Sequence, residues 1–143
     1  ARIYTRANIF FCNKEEARRI LGVAHEDMPQ LLRDLHALGP KHVVITDGRN
    51  GAYASAGTRM LHIPMYPDPR EPFERTGAGD AFASTVTAAL VLGEPFEKAL
   101  LWGPINSMSV VQKTGAQAGL LTRTEVQTFI ENAPATYSVN ALS

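Results

Sequence analysis

Apolar positions follow two rhythms along the chain. Ile9-Phe10-Phe11-Cys12 is a short apolar run rich in strand formers and reads as a buried strand. Asn13 then can cap a helix in which Ala17, Ile20 and Leu21 share a face, with two acids in the first turn and Gly22 as the stop. A second helix is predicted over Asp27 to Leu38: Asp27 caps it, Pro29 is tolerated in its first turn, and Leu31, Leu32, Leu35 and Leu38 form a stripe. His42 to Thr46 is nearly continuous in β-branched residues, as expected of a strand covered on both faces. Strand, helices, strand is a crossover unit, which requires a parallel pair.

Ala52–Ala56 and Met60–Tyr66 flank Gly57-Thr58 and predict a hairpin appended to that sheet. Pro64, Pro67, Pro69 and Pro72 mark an irregular stretch. Beyond Asp80 the chain to Leu92 is apolar nearly all round, which predicts a buried helix. A further helix over Phe96–Gln112 should kink at Gly103-Pro104, and Thr122 or Thr124 caps a last helix near Glu125–Asn132. The expected organisation is one α/β domain over residues 1–133, with a weakly structured tail over 134–143.

Composition narrows the function. The 143 residues hold 14 Lys+Arg against 14 Asp+Glu, so the net charge is zero. No bulk attraction to nucleic acid or an anionic membrane exists, and neither is expected as a partner. An anion must be held by a local site. Cys12 is the only cysteine, which excludes an internal disulfide and a Cys-rich zinc centre. No apolar run approaches the ~18 residues of a membrane span, and the N-terminus lacks a signal core. A cytoplasmic protein is expected, beginning partway through a longer one since it lacks an initiator Met.

The most informative segment is Arg75-Thr76-Gly77-Ala78-Gly79-Asp80, ahead of the apolar helix. Two glycines flanking alanine let backbone N–H groups converge at the helix's positive end, a socket for an oxyanion or phosphate. A carboxylate there would repel phosphate unless it had work to do, and accepting a proton from an attacking hydroxyl is such work. A glycine-rich turn with Asp80 as an ordinary cap fits the spacing equally. Asn13 and Glu16, three apart at the end of the first strand, could hold magnesium-bound water or form a capping pair. Thr46-Asp47-Gly48-Arg49-Asn50-Gly51 could contact phosphate or ribose, or be a hairpin-type turn.

In this order, Asn13-Lys14-Glu15-Glu16, Val44 through Ala52, Thr76 through Phe82, and Lys113-Thr114-Gly115-Ala116 resemble the C-terminal half of a ribokinase-like (PfkB family) sugar kinase. The likeness runs from about Ile9 to about Ile130. It implies a partial three-layer α/β/α fold, with parallel strands plus the hairpin. It also implies phosphoryl transfer from ATP to a hydroxyl of a sugar, nucleoside or similar molecule. Asp80 aligns with the family's catalytic base, and the amides of Gly77, Ala78 and Gly79 with its anion hole. Asn13 and Glu16 match the motif that organises Mg2+ through water. Thr46, Gly48, Gly51 and Thr76 match nucleotide contacts, and Gly103, Asn106 and Gly115 would wall the adenine. Potassium (K+) would be held by Glu74, Thr76, Val110, Lys113, Gly115 and Gly119, mostly through carbonyls.

Three departures stand out: Glu74-Arg75 where the family has Asp-Thr, Pro104 in a helix usually rich in Ala, and length. Family members run roughly twice as long, so this half is expected to be inactive without its missing N-terminal half or a homo-oligomer partner. The alternative is a non-catalytic nucleotide-binding module of the same fold.

Overall fold

The computed structural model describes residues 4–67, 77–111 and 120–142. A single 3-10 turn at Tyr4–Arg6 precedes β1 (Ile9–Asn13), α1 (Lys14–Leu21), α2 (Met28–Ala37) and β2 (His42–Thr46). A second 3-10 turn, Gly48–Asn50, leads into β3 (Ala52–Ala56) and β4 (Arg59–Ile63). After these come α3 (Ala78–Val91), α4 (Phe96–Val111), α5 (Arg123–Glu131) and β5 (Asn140–Ala141). The chain divides into two compact units: Ala1–Ile63 with Asn140–Ser143, and Pro64–Val139.

The first unit holds a five-stranded sheet in the order β1-β2-β3-β4-β5. β1 and β2 are parallel, as the crossover required, and the remaining pairs are antiparallel. Phe10, Cys12, Val43 and Ile45 pack with Ala17 of α1 and with Met28, Leu31, Leu32 and Leu35 of α2. α2 has ten residues, fewer than the ~12–15 an isolated helix needs in water. Its buried leucines, each contributing about 1.5–3 kcal/mol of burial, therefore hold it in place. Val44, Ala54, Leu61 and Ile63 are buried as well, which accounts for the continuous apolar run of β2.

Two expectations change here. β4 ends at Ile63, short of Tyr66, because Pro64 has no N–H to give to a ladder. Nor is the tail loose: Asn140–Ala141 pairs with β4, Leu142 N–H donates to the Met60 carbonyl at 2.8 Å, and Tyr137 is buried.

In the second unit α4 is the buried helix. Every residue from Trp102 to Val110 is out of solvent, and the helix runs through Pro104 as one element. α3 buries only Ala81, Phe82, Thr85, Val86 and Ala89, while Ser84, Thr87, Ala88 and Val91 are exposed, Val91 by 82%. Small near-neutral side chains made the whole α3 surface look apolar in sequence, although they cost little to leave in water. Tyr66 stacks edge-on with both Phe129 and Tyr137 and donates to the Phe129 carbonyl at 2.9 Å. Thr122, not Thr124, caps α5 in a reciprocal box with Glu125. The Thr122 backbone N–H and hydroxyl hold the Glu125 carboxyl below its ordinary range. Among the described residues no helix is long and apolar enough to cross a membrane.

Candidate functional site

Parallel pairing sets Asn13 beside Thr46 at the carboxyl ends of β1 and β2. Both local readings of Asn13 and Glu16 begin from the same geometry. Asn13 Oδ1 accepts from Glu16 N–H at 2.8 Å, and Glu16 Oε2 accepts from Asn13 N–H at 2.9 Å, a complete capping box. The box leaves two groups over: Asn13 Nδ2, a donor, and Glu16 Oε1, an acceptor, both on exposed residues. A donor cannot ligate a cation but can serve a phosphate or water oxygen. An anionic oxygen can take a proton from metal-bound water.

Sequence reasoning missed how the neighbouring loop is held. Lys14 Nζ lies 2.9 Å from Asp47 Oδ1 and 3.6 Å from Glu26. The hydrogen bond to Asp47 raises the Lys14 pKa above its ordinary value. Asp47 Oδ2 accepts from Asn50 Nδ2 at 3.1 Å, and the Asn50 carbonyl accepts from His62 Nε2 at 2.7 Å. Gly48 and Gly51 both have positive φ, 51° and 87°, so the Thr46–Gly51 loop needs glycine at these corners. The only advance signal was opposite charge at the two strand ends.

The second unit holds the Gly77–Asp80 segment at the start of α3. Gly77 sits in the left-handed region at φ 83°, and its carbonyl accepts from Ala81 N–H at 2.8 Å. No side chain caps this end among the described residues. Asp80 lies in the first turn and is exposed, as is Gly79. Gly79 has no positive φ, and a Cβ built on it would meet nothing within 4 Å among the described residues. Among the described residues neither backbone geometry nor packing asks for glycine there, although glycine costs a helix about 1 kcal/mol.

Gly103 and Asn106 are buried on α4, Gly103 against the Phe82 ring of α3. Asn106 is buried, with Nδ2 donating to Thr85 Oγ1 at 2.8 Å and Oδ1 accepting from Leu121 N–H at 2.8 Å. Its amide is used at both ends. Val110 is buried in the last turn of α4. Thr76, Gly115 and the other expected potassium ligands (Glu74, Lys113 and Gly119) lie outside the described residues.

Comparison with known proteins bears on family and fold. Residues 1–123 match the pattern described as pfkB family carbohydrate kinase. The chain belongs to this family. Similar proteins include the ribokinase of Bacillus subtilis (strain 168), 40% identical over 91 residues, which cover 64% of this pfkB-family chain and 30% of that one. The cytidine kinase of Thermococcus kodakarensis is 37% identical over 114 residues, covering 79% and 40%. The Arabidopsis thaliana ribokinase, solved with ribose and ATP, superposes with a TM-score of 0.82 at 24% identity, over 92% of this chain and 43% of that one. The fold is ribokinase-like α/β, and the pfkB chain spans less than half the length of these relatives.

Proposed function

We propose that this chain carries the phosphate-handling part of an ATP-dependent kinase acting on a hydroxyl of a sugar or nucleoside. The observation that carries the reading is Gly79. Among the described residues no side chain caps α3 and nothing stands within 4 Å of where a Gly79 Cβ would sit, and an oxyanion is the ligand such an open amide end favours. In this reading the N–H groups of Gly77, Ala78 and Gly79 bind the transferring phosphoryl, whose charge grows over its equatorial oxygens. Asp80 takes the acceptor's hydroxyl proton. The acceptor oxygen bonds to the γ-phosphorus while the bond to the bridging oxygen breaks, releasing ADP. Relatives named for ribose and cytidine phosphorylation support a polyhydroxyl acceptor class.

Magnesium bound with ATP would offset phosphate charge. Among the described residues no three His, Cys, Asp or Glu side chains gather to hold a bare metal ion. In this reading Glu16 Oε1 would meet the ion through water, and Asn13 Nδ2 would donate to a phosphate or water oxygen. Thr46, Gly48 and Gly51 form the nucleotide-side loop that Lys14 and Asp47 brace. Gly103 and Asn106 support the adenine side by fixing α4 against α3.

The test is Asp80→Asn. With the N-terminal half supplied, acceptor-dependent ADP release should fall by about 10²–10⁴-fold, while calorimetric affinity for ATP–magnesium stays within about threefold. Turnover that survives the substitution would remove Asp80 from the role of base.

A further inference from the structure

The amide end of α3 is held from behind by a residue that no motif singles out. Ser107, on α4, is buried, and its Oγ–H donates to the Ala78 carbonyl oxygen at 2.7 Å. Twenty-nine positions separate the two residues. In a regular helix that carbonyl already accepts from the N–H four residues on, so the serine fills the oxygen's second lone pair.

The Ala78 carbonyl and the Gly79 N–H belong to one planar amide. Holding the oxygen fixes the direction in which the N–H points. It also draws electron density toward the oxygen and leaves the N–H a stronger donor, since hydrogen bonds in a chain polarise one another. From this geometry we infer that Ser107 is a positioning residue for the phosphoryl-binding amides: it aims and sharpens the Gly79 N–H through the Ala78 peptide. The inference rests on the proposed phosphate role of Gly77–Asp80. Packing alone would have been met by alanine at position 107. The hydroxyl is what needs explaining, because a buried hydroxyl is placed only where it finds a partner.

The experiment follows the Gly79 backbone amide by 15N–1H spectroscopy in the full chain, with ATP and magnesium as the probe. In the unsubstituted protein the Gly77–Asp80 amides shift on titration. In Ser107→Ala the Gly79 resonance moves before any ligand is added, and ATP affinity falls about three- to ten-fold. Ser107→Cys, close in volume with a weak donor, lies between and guards against a folding defect in the alanine variant. Tyr137→Phe is the control: it removes another buried donor from a carbonyl of α4, that of Leu101. It should lower thermal stability and leave both Gly79 and ATP affinity unmoved.

Silence of all four amides in the unsubstituted protein would overturn the phosphate reading and this inference with it. A response there that persists undiminished in Ser107→Ala would overturn the role of Ser107 alone. The same would follow if Tyr137→Phe reproduced the alanine result, because any loosening of α4 would then suffice.

Discussion

Gly103 lies so close to the ring of Phe82 that a Cβ on it would stand 2.7 Å from Cε2 and 2.8 Å from Cδ2. Real side chains do not approach so far, so the spacing of α3 and α4 depends on this one missing methyl. Phe82 itself is buried on α3, two positions after Asp80.

Gly103→Ala should therefore destabilise the protein. Overpacking a rigid ring costs about 1–3 kcal/mol, and alanine's better helix propensity returns up to about 1 kcal/mol. A net loss of about 1–2 kcal/mol is expected in urea denaturation. An unchanged midpoint would mean that the helices slide apart freely.

Asn13 has two separable jobs. Asn13→Ala removes the acceptor that caps α1 and should cost about 0.5–2 kcal/mol of stability. Asn13→Asp keeps an acceptor for the Glu16 N–H but replaces the Nδ2 donor with an anionic oxygen. It should hold the melting temperature near that of the parent and still weaken ATP binding severalfold. Calorimetric titration beside thermal melts tests this, and equal ATP affinity in Asn13→Asp would confine Asn13 to capping.

Cys12 is buried at the end of β1, and burial, with the Glu16 charge adding to it, pushes its thiol up to about 12. The thiolate is the reactive form, so native protein at pH 8 should resist aromatic disulfide reagents. One equivalent should react once denaturant is added. Rapid labelling of the native protein would contradict this placement.

Stability should also fall in mild acid. Burial lowers the His42 pKa; a hydrogen bond with the Ser55 backbone opposes this, and the nearby charges of His36 and Lys41 add to it. The unfolded chain then takes up the proton first. This contribution is complete above the unfolded value of about 6.5 and is lost as pH drops from there toward the lower folded value. Denaturation midpoints at pH 7.5, 6.5 and 5.5 should decline, and His42→Gln should decline less. Parallel profiles for the two proteins would remove His42 as the cause.

What could be read from the residues alone was mostly what is close in sequence. Asn13 with Glu16, Asp27, Gly22 and the run His42–Thr46 each carry their conformational reason within a few positions, and the structure bears them out. The choice between Thr122 and Thr124 needed the reciprocal bond to Glu125. Contacts across long separations stayed hidden. Nothing local distinguishes Ser107 from any small helical residue, and Gly103 reads as a helix weakness until Phe82 stands beside it. Buried and open faces of α3 could not be told apart, because Ala and Thr occupy both. The last strand was missed because a two-residue bridge leaves no alternating pattern. Roles for the Gly77–Asp80 amides came from the family resemblance alone; the exposure of Gly79 and Asp80 leaves no local pattern to read them from.

β5 joins β4 from the far end of the chain, after all of the second unit has been made. During synthesis, then, β1 to β4 emerge and pair first, and their outer edge waits uncovered while some seventy-five further residues are added. At roughly 5–20 residues per second that wait lasts several seconds. For that interval β4 is a second edge, beside β1, open to mispairing with a neighbouring ribosome's product.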